Sequence, residues 1–246
     1  MKNFVKRLLQ GLLGWENYLF LFARYIIATL KCNRKEGDFL HFAGMLKDGD
    51  TVLDIGANIG AMSVHLARKL PHSRIWAFEP IPVNVKTFKR VIRHFALNNV
   101  TLVEQALGDH TGEVEMVLPV QHKAKLHGLS HVVHESISDF NSGQHFKVKM
   151  ARLDDYPGLR DAPSISGIKL DVENFEYFVL KGAIELLKRH KPIIYAELWD
   201  NQNRQNCFAL MKSIGYSIKV LNREGLTHFD PEKHSNQNFF FTPESQ

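Results

Sequence analysis

A chain of 246 residues with 44% hydrophobic content is long enough for one large domain with a proper core. Its formal net charge of +5 is a mild excess, which permits an anionic partner without requiring one. The two cysteines, Cys32 and Cys207, lie far apart and form no Cys-x-x-Cys or Cys/His pair, so a disulfide framework and a zinc knuckle are excluded and a reducing compartment fits.

Residues 1–36 stand apart in composition. They are rich in Phe, Leu, Ile, Trp and Tyr, and Lys2, Lys6, Arg7, Arg24, Lys31, Arg34 and Lys35 punctuate them. Arg7, Glu16, Asn17 and Arg24 interrupt any apolar run of the roughly 20 residues that a spanning helix needs. No small-residue cleavage site follows Leu8–Leu13, which argues against a secretory signal. Two readings stay open: a helical cap packed on the domain, or a basic amphipathic helix lying on a membrane. Neither needs export, so a cytoplasmic location is expected, with any membrane contact peripheral and on the inner face.

From Asp50 onward, short apolar strands alternate with helical stretches. Thr51–Asp54 reads as a strand, residues 60–70 as a helix and Arg74–Phe78 as the next strand. A helix over Val83–Leu97 is opened by Pro80 and Pro82. Val100–Glu104 is a third strand. Residues 113–152 break the rhythm: Val114–Leu118 and Phe146–Arg152 read as strands around a polar, His-rich stretch, an insertion suited to covering a substrate. Ile165–Leu170 resumes the pattern, followed by a helix over Glu176–Arg189, a strand over Pro192–Leu198, a helix over Asn203–Ser213, and a closing pair, Tyr216–Leu221 and Asn238–Thr242. The alternation predicts an α/β domain over residues 37–246 with a mainly parallel seven-stranded sheet and helices on both faces.

The sharpest local signal is Thr51-Val-Leu-Asp-Ile-Gly-Ala-Asn-Ile-Gly60. An apolar strand runs into a glycine turn and then a helix, which is a nucleotide-type site at the carboxyl edge of a sheet. A dinucleotide would need a third glycine where Asn58 stands, and Asp54 would repel its pyrophosphate. A carboxylate there suits a cationic ligand instead, and S-adenosylmethionine carries an ammonium, a sulfonium and no phosphate. Glu79 ends the second strand about 20 residues after the turn, where a carboxylate accepts hydrogen bonds from ribose hydroxyls. Residues 105–109 follow the third strand, at the place of an adenine. The expected cofactor set is therefore Asp54, Gly56, Ala57, Asn58, Gly60, Glu79, Pro80, Gln105, Ala106 and Asp109.

At the fourth parallel strand, Lys169-Leu-Asp-Val-Glu-Asn-Phe-Glu176 places Asp171, Glu173 and Glu176 at a strand end and helix start, with Glu197 ending a neighbouring strand. Glu173 and Glu176 also fit simple stabilisation of a helix N-terminus. The ordered set Leu53-Asp-Ile-Gly-Ala-Asn-Ile-Gly60, Phe78-Glu-Pro80, Ala106-Leu-Gly-Asp109, Lys169-Leu-Asp-Val-Glu173 with Glu176, and Glu197 resembles the FkbM-type methyltransferases over roughly residues 50–200. That resemblance implies a class I, Rossmann-like fold, S-adenosylmethionine as cofactor, and methylation of a hydroxyl on a sugar, glycan, polyketide or lipid-linked acceptor. One departure is Asn174, which stands where the family usually has Gly. Its side chain would narrow the approach to that backbone.

A hydroxyl nucleophile needs a base, and Asp171 is the first candidate, with Glu173 beside it and His127, His131 and His134 as the alternatives. His127, His131 and His134 have a metal-like spacing, but Gly128 and Ser130 make the segment a loop, so no metal is expected. The rival enzyme is an RNA 2′-O-methyltransferase using Lys169, Asp171 and Glu197, though no basic-aromatic platform for bases is present. A non-catalytic membrane-associated binder is the rival of another class. Methylation of base amino groups is disfavoured because no Asn-Pro-Pro-Tyr-like segment occurs.

Overall fold

The computed structural model describes residues 10–121, 124–125, 131–133 and 143–244. Eight strands build the main sheet. β1 (Thr51–Ile55), β2 (Arg74–Phe78), β3 (Val100–Val103), β9 (Ile165–Leu170) and β10 (Ile193–Glu197) run parallel. β11 (Tyr216–Asn222), β12 (Gly225–His228) and β13 (Asn238–Pro243) complete it antiparallel, in the order β12-β11-β13-β10-β9-β1-β2-β3. The seven expected strands are all in this sheet, and β12 adds an eighth. All five residues of β1 are buried, as a strand covered on both faces requires.

Helices α3 (Ala61–Lys69) and α4 (Pro82–Phe95) cover one face of the sheet. α4 buries Val85, Phe88 and Val91 at helical spacing and turns Lys86, Lys89 and Arg93 outward. The single helix expected over Glu176–Arg189 is two: α6 (Glu176–Lys181) and α7 (Ile184–His190), with the short α5 (Pro157–Arg160) preceding β9. The break has a physical cause. A Cβ on Gly182 would lie 2.0 Å from the Gly108 carbonyl oxygen, so the backbones meet there. Asp154 then restarts the helix by accepting from the Glu185 and Leu186 amides. α8 (Gln202–Ser213) precedes β11.

The insertion and the residues just before it form a second sheet. β4 (Ala106–Leu107), β5 (Gly112–Gln121), β6 (Ala124–Lys125) and β8 (Gly143–Ala151) lie in the order β4-β8-β5-β6, and β7 (His131–Val132) pairs with β5. Met116, Val132, Val148 and Met150 pack this sheet onto the main core.

The N-terminal segment shares the core. Residues 10–13 are helical, Gly14 breaks the path at φ +71°, and α1 (Trp15–Thr29) follows. α1 buries Tyr18, Leu19, Ala23 and Ile27 against α3 and α4, and Ala23 and Ile27 join Phe42, Val64 and Phe88 in one cluster. Lys86 pairs with Glu16 at 2.7 Å, and the Arg90 guanidinium lies 4.4 Å over the Phe20 ring. Two 3₁₀ turns and α2 (Gly37–Met45) lead into β1. Among the described residues, no helix is long and apolar enough to cross a membrane.

Candidate active site

A cleft opens at the carboxyl ends of β1, β2 and β9. Its walls include Gly56, Asn58, Glu79, Ile81, Gln105, Ala106, Met116, Val132, Asp171 and Glu173. Its empty space, open mouth included, is about 580 Å³.

The glycine turn is fixed by close approach. Gly56 has φ +78°, and a Cβ there would sit 1.8 Å from the Asp171 carbonyl oxygen. Gly60 has φ +84°, and a Cβ there would sit 2.2 Å from the Phe88 ring. The Gly56 and Ala57 amides both donate to the Phe78 carbonyl, which ties the turn to β2. Ala57 and Gly60 thus shape the turn without lining the cleft.

Glu79 is 4% exposed. It accepts from the amides of Asn58 (2.9 Å) and Ile81 (3.0 Å) and from the Asn84 side chain (3.1 Å). Burial outweighs those three donors and pushes its pKa up to about 7. Two carboxylate oxygens offer about four acceptor sites, so capacity remains toward the cleft. Pro80, Gln105 and Ala106 line the same end. Asp109 does not reach it: its carboxylate holds Lys181 at 2.8 Å and His110 at 3.0 Å on the surface.

Asp54 also departs from expectation. It is fully buried and does not line the cleft. Ser63 donates to one oxygen, and Lys169 Nζ lies 3.5 Å from the other. Lys169 is 3% exposed and sits beside Asp54 in the register of β1 and β9. It donates to the Gly56 carbonyl at 2.8 Å and lies 3.4 Å from Asp171. Burial works against its charge, but Asp171 and Asp54 outweigh that and hold its pKa above the usual lysine value. Lys169 therefore joins the glycine turn to the acidic turn from below.

The acidic turn is strained. Glu173 has φ +56° and Asn174 φ +76°, two consecutive left-handed residues, each costing of order 1 kcal/mol. Glu176 holds them: its buried carboxylate accepts from the Val172 and Asn174 amides at 2.9 and 3.2 Å. That is the helix-start role. The Asn174 side chain turns away from the cleft to α8, accepting from Asn201 at 2.7 Å, while Asn203 donates to its carbonyl at 2.7 Å. The narrowing expected from Asn174 is therefore not seen.

Asp171 and Glu173 line the cleft, and Glu197 stands close by on β10. Burial and the charges of Asp171 and Glu197 push the Glu173 carboxyl well up, and burial and Asp171 do the same to Glu197. Glu176 is raised to about 8, chiefly by burial. Glu36, on the turn after α1, is raised by burial and by Asp171, so the N-terminal segment contributes to this electrostatic environment. Its position in sequence, before the first strand, gave no sign of that.

His131 is corrected out of the catalytic set. It is 3% exposed and β7 presents Val132, not His131, to the cleft, since successive strand residues face opposite ways. His127 and His134 lie outside the described residues. Among the described residues, no group of three or more His, Cys, Asp or Glu side chains is arranged to hold a metal ion.

A model of the methyltransferase FkbM domain matches residues 54–234. The chain belongs to the FkbM methyltransferase family. Its curated relatives include the methyltransferase sdnD of Sordaria araneosa, 28% identical over 193 residues, covering 68% of this chain and 73% of that protein. Methyltransferase 1 of Beauveria bassiana is 26% identical over 191 residues, covering 70% and 74%. An FkbM methyltransferase structure from Methylobacillus flagellatus is similar at TM-score 0.54 and 22% identity, over 80% of this chain and 45% of that one, so this chain spans less than half of it. An S-adenosylmethionine-dependent O-methyltransferase from Thermotoga maritima matches at TM-score 0.50 and 16% identity, over 90% of this chain and 72% of that one. These two likenesses show the class I methyltransferase fold.

S-adenosylmethionine is the cofactor of this FkbM methyltransferase domain, and the cleft fits it. The Gly56 cradle would be filled by any Cβ, and the Glu79 carboxylate keeps acceptor capacity for paired hydroxyls. Glu79→Ala is expected to weaken cofactor binding by roughly 1–3 kcal/mol, the loss of hydrogen bonds to a charged group. Calorimetry returning equal affinities for mutant and wild type would remove Glu79 from the site.

The raised carboxyls also set a pH dependence. Their folded pKa values lie above the unfolded value near 4.5, so the folded state holds more protons between the two. Stability from these groups is therefore highest below about pH 4.5 and falls as pH rises toward about 8 for Glu176 and about 9 for Glu173. Glu173→Gln should raise the melting temperature more at pH 8.5 than at pH 5.5. A gain of about 1 kcal/mol corresponds to roughly 2–4 °C for a chain of this size. Melting curves showing no gain, or the larger gain at pH 5.5, would refute the assignment.

Proposed function

We propose that this methyltransferase acts on a hydroxyl of a sugar, glycan, or lipid-linked or secondary-metabolite acceptor. The observation that carries the reading is Asp171 with Glu173 on the same cleft as Glu79. When bound, the cofactor supplies an activated methyl group on a sulfonium centre. The protein's work is to align the acceptor oxygen and to take its proton. Asp171 is the base in this reading, held by Lys169 at 3.4 Å. Glu173, kept protonated by burial and neighbouring charge, is fitted to donate a hydrogen bond to an acceptor oxygen.

The surroundings argue against RNA. The charge of Asp171, with Glu197 and Glu36 near it, would repel a phosphate backbone at this end of the cleft. Lys169, which the 2′-O-methyl reading needs at the acceptor, is committed to Gly56, Asp54 and Asp171.

The experiment is methyl-labelled cofactor offered with a glycan and lipid extract in one tube and total RNA in another. Label in the extract, in an alkali-stable ether, supports the reading. Label in RNA, or in neither tube, overturns it.

A further inference from the structure

We propose that the face built by α1, α3 and α4 is a docking site for an anionic bilayer, with a lipid phosphate seated in the groove between the three helices. Arg24 and Lys31 line that groove from the N-terminal segment, Arg68 and His65 from α3, and His94 from α4. Arg24, Lys31 and Arg68 are exposed, and among the described residues none of the three is paired with a carboxylate.

The charge asymmetry runs through the sequence. No Asp or Glu occurs between Glu16 and Glu36, between Asp54 and Glu79, or between Glu79 and Glu104. The three helices therefore carry one acid, Glu16, and that one is neutralised by Lys86. A cluster of acids, Asp171, Glu173, Glu197 and Glu36, lies instead at the carboxyl edge of the sheet. Burial lowers the pKa of His65, and Lys31 and Arg68 lower it further, so positive potential already fills the groove.

A second observation is independent of charge. Leu12, Leu21 and Tyr25, at 74%, 44% and 63% exposure, are the exposed large hydrophobics among the described residues. All three belong to the N-terminal helical segment, and Leu21 and Tyr25 border the groove, one turn apart. Positions 21, 24, 25, 28 and 31 make one exposed stripe along α1 and the turn after it, opposite the stripe that packs on the domain. Apolar side chains beside cations that lack carboxylate partners, with Arg68 resting over the Phe95 ring, match a leaflet with acyl chains beneath anionic headgroups. A nucleic acid would use the cations but leave the leucines in water.

The test is sedimentation of the full chain with vesicles of phosphatidylcholine alone or with 30 mol%, roughly the anionic fraction that gives a cytoplasmic-type surface, of phosphatidylglycerol. The anionic vesicles should carry the protein down and the neutral ones should not, and rising salt should release it. Each arginine near such a surface is worth about fivefold in affinity, so Arg24→Gln with Arg68→Gln should weaken partitioning by roughly thirtyfold. Leu21→Ser with Tyr25→Ser should weaken it as well, and both variants should keep wild-type cofactor affinity. Binding to neutral vesicles as strong as to anionic ones, salt-independent binding, or unchanged partitioning of the arginine variant would overturn the proposal. So would an RNA oligonucleotide that binds through these arginines while vesicles do not. If a variant fails to fold, Lys31→Gln and the wild-type salt dependence decide the matter.

Discussion

Asp171→Asn should lower methyl transfer by about 10²–10⁴-fold, the usual contribution of a positioned general base. Asp171 lies at the end of β9, on the cleft wall, and its backbone is tied to β1 through the bond from its amide to the Ile55 carbonyl. Asparagine keeps the shape and removes the proton-accepting oxygen. Cofactor affinity should change much less, because the nucleoside end of the cleft is built around Glu79. Turnover on an identified acceptor and cofactor affinity must be measured on the same variant. Turnover near wild type would show that Asp171 is not the base. A parallel collapse of both quantities would assign Asp171 to the cofactor site or the fold.

Lys169→Met should destabilise the protein by about 3–5 kcal/mol, the cost of leaving a buried charge without its partner. Asp54 is fully buried, and one of its oxygens has no neighbouring donor closer than Lys169 at 3.5 Å. The Gly56 carbonyl would lose its 2.8 Å partner as well. Replacing both charges tests the cause. Lys169→Met with Asp54→Leu should cost clearly less than the two single losses added together, because neither charge is then stranded. Denaturant unfolding measures all three variants. Strict additivity, or a single-variant loss under about 1 kcal/mol, would show that the ion pair does not hold the two turns together.

The alternation of apolar strands with helices made the main sheet readable, because a parallel strand covered on both faces has almost no freedom in composition. Thr51–Ile55 and Ile193–Glu197 are such strands. The break at Gly182 was not readable from helical periodicity. It depends on the approach of Gly108, 74 positions away in the chain, and a local pattern holds no record of that. The short β12 hairpin was missed because its four residues carry no buried stripe.

The site was readable in its backbone and less so in its charges. Glycines at 56 and 60 and a strand-ending Glu79 declare themselves through spacing. Asp54 looked like a ligand-facing carboxylate because position alone could not show which way it points. The clue lay in the other strand: Lys169 is a cation in an otherwise uncharged strand, one residue from its end, as Asp54 is the lone charge of β1. Two opposite charges at matched places in neighbouring buried strands are expected to pair. His131 misled for the opposite reason, since histidine near a cleft invites a catalytic role until the strand's alternation turns it away.

The most direct test is a crystal structure of the full chain with S-adenosylhomocysteine, the cofactor after methyl loss. The product is expected in the cleft between the Gly56 turn and Glu79, with its ribose hydroxyls in hydrogen-bond reach of the Glu79 carboxylate and its sulfur toward Asp171. Product bound at another surface, or in this cleft with the ribose away from Glu79, would contradict that expectation.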